Sequence, residues 1–210
     1  MAAVFHPFEV EYRAQGISLV AGVDEAGRGC LAGPVVAASC ILPPDVDIPD
    51  LNDSKKLTPH IRERLFDVIC HQAVAFGIAR IEADEIDRIN IRQASLKAMC
   101  ISLTFLQVKP EMVLIDGRDT IQTSLAQKAI INGDALCRSI AAASILAKVT
   151  RDRIMRDYSK SYPSFTFATH KGYPTKAHCQ EIFAHGPTEI HRRTFGMLKN
   201  RAIFLNPNRY

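Results

Sequence analysis

The 210-residue chain contains no tryptophan, and aromatic residues make up only 7% of it. Stacking on a sugar or a base must therefore come from one of five tyrosines or ten phenylalanines. No apolar stretch runs much beyond ten residues, roughly half of what a membrane-crossing helix requires. The opening MAAVFHPFEVEYR lacks the pattern of a secretory signal. A glycine-rich loop ending in Gly-Lys is also missing, which argues against a P-loop phosphotransferase. Six cysteines (30, 40, 70, 100, 137 and 179) lie far apart, with no CxxC and no zinc spacing. Several sit within apolar runs, as buried free thiols do. A reduced cytoplasmic protein is the expectation. There is no repeat and no low-complexity tract, so one domain is expected over residues 1–210.

What the chain does have is carboxylates at the ends of apolar runs. Asp24 and Glu25 close SLVAGVDEAGRG, Asp116 closes EMVLIDGR, and Asp134 follows KAIING. Each taken alone reads as a turn residue. Together they suggest one rim of a sheet, where carboxylates would repel unless a cation neutralised them. Hard divalent cations take oxygen ligands of this kind, and four carboxylates match a two-cation site that activates water against a phosphodiester.

Hydrophobic periodicity predicts strands at 17–25, 34–42, 73–81, 112–116 and 126–132. Helices are predicted from Thr58-Pro59 to about residue 71, over 82–108 with a break near Asn90, and over 138–159. Thr before Pro is a good helix start. On the last helix Ala141, Ile145, Ala147 and Ile154 mark the buried face. This order implies a mixed α/β sheet with helices packed on it. Beyond Ser161 come turn-rich segments and short helices.

Charge is uneven along the chain. From Lys160 to Tyr210 there are eight Lys/Arg against Glu181 and Glu189, whereas the first 159 residues hold 18 basic and 20 acidic side chains. A basic final quarter beside an acidic pocket suits a polyanion held near a metal. Lys55 and Lys56 lie in a loop and suit phosphate contact. Tyr173, between Gly172 and Pro174, reads as an exposed ring on a turn that can stack on a sugar or base. Lys148 and Asp152 read as an i,i+4 ion pair, and His170 as a surface histidine.

The motifs AGVDEAGRG (21–29), LNDSKKLT (51–58), LIDG (114–117), GD (133–134), AAASILAKVTRD (141–152), HKGYPT (170–175) and HRRTFG (191–196) occur in this order. The chain thereby resembles the bacterial ribonuclease HII, or type 2 ribonuclease H, family over nearly all of residues 18–200. The resemblance implies a ribonuclease H-like fold, with a core to about residue 160 and a small, basic helical extension over about 161–210. It implies a Mg2+- or Mn2+-dependent endoribonuclease that cleaves the RNA strand of RNA–DNA hybrids. It further implies incision 5′ of single ribonucleotides embedded in duplex DNA. Attack by water leaves 3′-hydroxyl and 5′-phosphate ends.

Carried over by motif, Asp24, Glu25, Asp116 and Asp134 ligate the metals. The Gly27-Arg28-Gly29 backbone reads the ribose 2′-hydroxyl, and Tyr173 stacks on the sugar at the RNA–DNA junction. Two departures from the family pattern stand out. Cys30 replaces an expected proline and is expected to loosen the turn. Asn132 replaces a frequent lysine and is expected to remove one phosphate contact. Nothing in the sequence demands more than a monomer.

Overall fold

The computed structural model describes residues 5–44 and 46–199. Part of the basic final segment, including Arg201 and Arg209, lies outside the described residues. Five strands form one sheet: β1 (Val20–Ala26), β2 (Val35–Ile41), β3 (Ala75–Ile81), β4 (Met112–Asp116) and β5 (Ala126–Ile130), in the order β3-β2-β1-β4-β5. The first three pair antiparallel; β4 and β5 run parallel to β1. The helices are α1 (Phe8–Ala14), α2 (Pro59–Gln72), α3 (Ala83–Ile89), α4 (Ile91–Thr104), α5 (Gly133–Leu136), α6 (Arg138–Ser161), α7 (Phe167–His170) and α8 (Lys176–His185).

Local chemistry sets the helix boundaries. Thr58 caps α2, its side chain accepting from the Ile61 amide at 3.3 Å, and Pro59 needs no amide partner there. Asn90, at φ 66°, separates α3 from α4 and caps the second by accepting from the Gln93 amide.

Each sheet face is covered. On one side Ala21, Val23, Val35 and Ala37 join Ala94, Ala98 and Met99 of α4. On the other, Val36, Ala38 and Cys40 meet Ala143, Ile145 and Ala147 of α6 together with Leu65 and Ile69 of α2. A fully buried side chain of this kind contributes about 1.5–3 kcal/mol. Gly22 lets α6 settle directly on β1: a Cβ there would lie 2.1 Å from the Ser139 carbonyl carbon. The N-terminus of α6 is fixed from outside. Glu9 of α1 accepts from the Ser139 amide (2.8 Å), the Ser139 hydroxyl (2.8 Å) and the Cys137 thiol, placing a carboxylate where the helix dipole favours one.

Beyond α6 the chain turns back over the loop that joins β1 to β2. Phe165, Phe167, Ile182 and Leu198 bury themselves against Leu31, Ala32 and Met155. The last described residues form a 3-10 turn, Gly196–Lys199.

Candidate active site

The parallel register of β1 and β4 brings the first carboxylates abreast. Pairing runs from Val20↔Met112 to Val23↔Ile115 and stops there. The next residues on the two strands are Asp24 and Asp116. The sequence suggested that β1 ends at Asp24-Glu25; instead β1 continues to Ala26, with Asp24 opposite Ala38 and Glu25 opposite Ala37 of β2. Only the β4 side of β1 is free, and that opening is where the carboxylates gather.

Side chains alternate along a strand. Asp24 and Asp116 share the α6 face with Gly22 and Leu114, and Glu25 starts from the opposite face with Val23. Asp134 enters from α5, directly before α6. Its neighbour Gly133 donates its amide to Asp116 Oδ1 at 2.7 Å. The backbone reverses just before this point through Asn132, which adopts left-handed geometry at φ 57°. Asparagine is the non-glycine residue that best tolerates that conformation, which gives this departure from the family pattern a backbone reason.

The electrostatics are those of carboxylates crowded together. Asp24 is 4% exposed. Burial pushes its carboxyl well above the usual range, and the charges of Glu25 and Asp116 push it further. Burial also raises Glu25, against the opposing pull of Arg28. Asp116 is raised by burial and then by Asp134. Two cationic side chains partly offset this charge: Lys55 Nζ lies 2.8 Å from Asp134 Oδ2, and Arg28 Nη1 lies 3.0 Å from Glu25 Oε1. The Ser54 and Ser144 hydroxyls are 2.9 Å apart, and Ser144 favours the ionised form of Asp24.

Among the described residues no three His, Cys, Asp or Glu side chains form a finished metal cage. The four carboxylates lie within electrostatic reach of one another rather than in one coordination sphere. Their chemistry fits divalent cations nonetheless: all donors are hard oxygens, and three of the four are held in a field that a cation would relieve.

The structure places the other predicted residues as follows. Gly27 has φ 97°, and a Cβ there would strike Arg151 Nε at 2.1 Å, so only glycine fits. At Gly29 an added Cβ would meet nothing within 4 Å, leaving the backbone approachable. Tyr173 is 37% exposed, with Lys148 Nζ 5.4 Å and the Arg151 guanidinium 5.8 Å from its ring centroid. Cys30 is fully buried and interacts with the Tyr173 hydroxyl. The turn it was expected to loosen is held by the Leu31 amide on the Gly172 carbonyl at 2.8 Å. Lys55 joins the carboxylates, whereas Lys56 lines a separate groove with Asp47, Asp50, Asn52 and Arg138. Lys148 pairs with Asp152 at 2.7 Å, as its spacing suggested.

Two readings of the sequence need correction. His170 is buried, 6% exposed, because Glu181 accepts from its Nε2 at 2.9 Å and His178 stacks on it at 4.1 Å. Arg192, counted above with the basic final quarter, is fully buried and adds nothing to a charged surface. The sequence reading also missed Arg151 as a site residue. Arg151 is fully buried and donates to the carbonyls of Pro34, Ala32 and Lys171, each at 2.9 Å. Its signal was an arginine in the midst of an otherwise apolar helix face.

The Ribonuclease HII family model matches residues 21–198. Ribonuclease HII of Geotalea uraniireducens (strain Rf4) is 51% identical over 192 residues, covering 91% of this chain and 89% of that protein. Ribonuclease HII of Caldanaerobacter subterraneus subsp. tengcongensis is 49% identical over 188 residues, covering 90% and 78%. The crystal structure of ribonuclease H2 from Pyrococcus horikoshii OT3 superposes with a TM-score of 0.73 at 29% identity, covering 86% of this chain and 95% of that one. A mixed sheet whose open strand end carries three carboxylates with a fourth beside it on α5, and a match over most of the chain, lead to one conclusion: the protein belongs to the ribonuclease HII family of metal-dependent endoribonucleases acting on RNA–DNA hybrids.

Proposed function

We propose that this chain, as one catalytic domain, incises duplex DNA 5′ of a single embedded ribonucleotide as well as cleaving continuous RNA–DNA hybrid. Asp24, Glu25, Asp116 and Asp134 hold two divalent cations, Mg2+ or Mn2+. Bound there, these ions supply an activated water and offset the charge that develops on the phosphodiester. The observation that carries this reading is the register of β1 and β4, which aligns Asp24 with Asp116 at the one open end of the ladder.

The protein's own groups supply selectivity and placement. The Gly27-Arg28-Gly29 backbone has no side chain at Gly29 to hold a ribose away, and it meets the 2′-hydroxyl, which is both donor and acceptor. The half-exposed face of Tyr173 stacks on the sugar at the junction. Lys55, already drawn to Asp134, contacts a phosphate, and Lys56 makes a weaker contact from beside it. Because water attacks rather than the 2′-hydroxyl, the products carry 3′-hydroxyl and 5′-phosphate ends. The protein acts in the cytoplasm as a monomer, a reading in keeping with its six free cysteines.

The decisive test is a labelled duplex carrying one ribonucleotide, incubated with Mg2+, with Mn2+ and with chelator. Metal-dependent cutting on the 5′ side of the ribonucleotide is expected. Cutting of continuous hybrid alone would restrict the function to the hybrid, and cutting in chelator would remove the metals from the mechanism.

A further inference from the structure

The two proposed substrate readers lie far apart in sequence, and an adjacent pair of buried residues touches both. Arg192 sends Nη1 to the Arg28 carbonyl and Nε to the Gly33 carbonyl, each at 3.0 Å. His191 faces the other way. Its Nδ1 accepts from the Thr188 amide (2.9 Å) and lies 2.8 Å from the Thr188 hydroxyl. That leaves the proton on Nε2, which donates to His178 Nε2 at 3.0 Å. His178 must then carry its proton on Nδ1, where it donates to the Tyr173 carbonyl at 2.9 Å. These tautomers follow from the hydrogen-bond partners. A single dipeptide thus grips the Gly27-Arg28-Gly29 loop with one side chain and, through His178, the Tyr173 turn with the other.

The backbone supports the same link. His191 bridges Ala32, the Arg192 amide donates to the Leu31 carbonyl, and the Gly33 amide donates to the Ile190 carbonyl. Both rings are neutral at ordinary pH, since burial drives His178 down to about 4 and His191 to about 3, so the relay is intact in the working enzyme. Arg192 Nη2 is buried with no hydrogen-bond partner among the described residues. A residue kept only to fill space would not carry that cost. The guanidinium is retained for the two carbonyls its fork can reach.

We propose that His191 and Arg192 are a positioning pair: by fixing the Arg28 and Tyr173 carbonyls relative to each other, they set the spacing between ribose reader and stacking ring. That spacing decides selectivity for a ribonucleotide followed by a deoxyribonucleotide. The proposal rests on the reading of those two elements as substrate readers. Neither residue touches the reacting atoms.

The test compares Arg192→Lys with wild type on a lone-ribonucleotide duplex and on continuous hybrid. Lysine keeps the charge but cannot fork to both carbonyls. The lone-ribonucleotide kcat/KM should fall at least ~10-fold and hybrid cleavage less than ~3-fold, with Mn2+ affinity unchanged. In a Tyr173→Ala background the same substitution should cost less than ~2-fold, because the ring whose spacing from the Arg28 loop it sets is gone. Equal losses on both substrates, or losses that multiply in the double variant, overturn the proposal. If wild type itself ignores the lone ribonucleotide, the functional reading fails instead. Should Arg192→Lys not fold, hydrogen exchange on wild type decides. The amides of Leu31, Gly33, Tyr173 and Arg192 should open as one unit, and separate openings for the two segments would sink the pair.

Discussion

The carboxylate rim and the histidine–arginine hub bury ionisable groups a short way apart and solve the problem in opposite ways. At the rim, buried Asp24 and half-buried Asp116 sit beside like charge and are raised together, with Lys55 and Arg28 as cations nearby for partial relief. In the hub, Arg151 and Arg192 are buried among backbone carbonyls, and burial drives His178 and His191 toward their neutral forms. The hub has spent its electrostatic freedom on rigidity, whereas the rim keeps an unresolved field for an incoming cation. The proposed metal site is left uncomfortable without a cation, while the proposed positioning hub is held by contacts already made.

The sharpest way to break this contrast is Asp24→Asn. Cleavage should fall by about 10^3-fold or more, with hybrid binding preserved. The metal-free protein should melt higher, because a buried repelling charge is gone; each kcal/mol gained raises Tm by about 2–4 °C. Loss of activity together with a lower Tm would place Asp24 in the scaffold rather than in the rim.

The hub should respond to acid. An unfolded histidine binds its proton near the ordinary 6.5, whereas folded His178 does so only at about 4. Between those values the unfolded chain holds the extra proton. The stabilisation is therefore complete above pH 6.5 and declines as pH falls toward 4, by about 3 kcal/mol for one such group. The groups facing His178 are His170, His191 and Glu181 on neighbouring turns. Urea midpoints of wild type and His178→Gln should differ at pH 7 and converge at pH 4. A constant difference would mean that the ring does not titrate as described.

Tyr173→Ala should reduce incision at a lone ribonucleotide by about 10-fold and leave metal affinity untouched; a parallel loss of both would make the ring a structural support. Smallest of all is Lys56→Ala, expected to change rates less than ~2-fold. Lys55→Ala should flatten the salt dependence of hybrid binding by close to one counterion. If Lys56 instead flattens it more, the phosphate path runs through the Asp47–Asn52 groove.

Much of the rim was legible in advance because its signal is local: an apolar run, then a carboxylate, then glycine. The strands and long helices followed from the same runs, and Thr58-Pro59 and Asn90 announced their boundaries. The hub was not legible. His170, His178, His191 and Arg192 sit in turn-rich sequence that reads as solvated, and only partners far away in the chain reveal their burial. Helix α1 also escaped notice, since seven residues carry too little periodicity and its purpose, Glu9 on the start of α6, is a contact across some 130 positions.

That contact has a practical corollary. Asp134 hangs on the short stretch leading into α6, and Glu9, some 130 positions away in the chain, moors the same stretch. Trimming the first dozen residues for convenience would leave a protein that still looks folded by circular dichroism yet lets one of the four rim carboxylates drift.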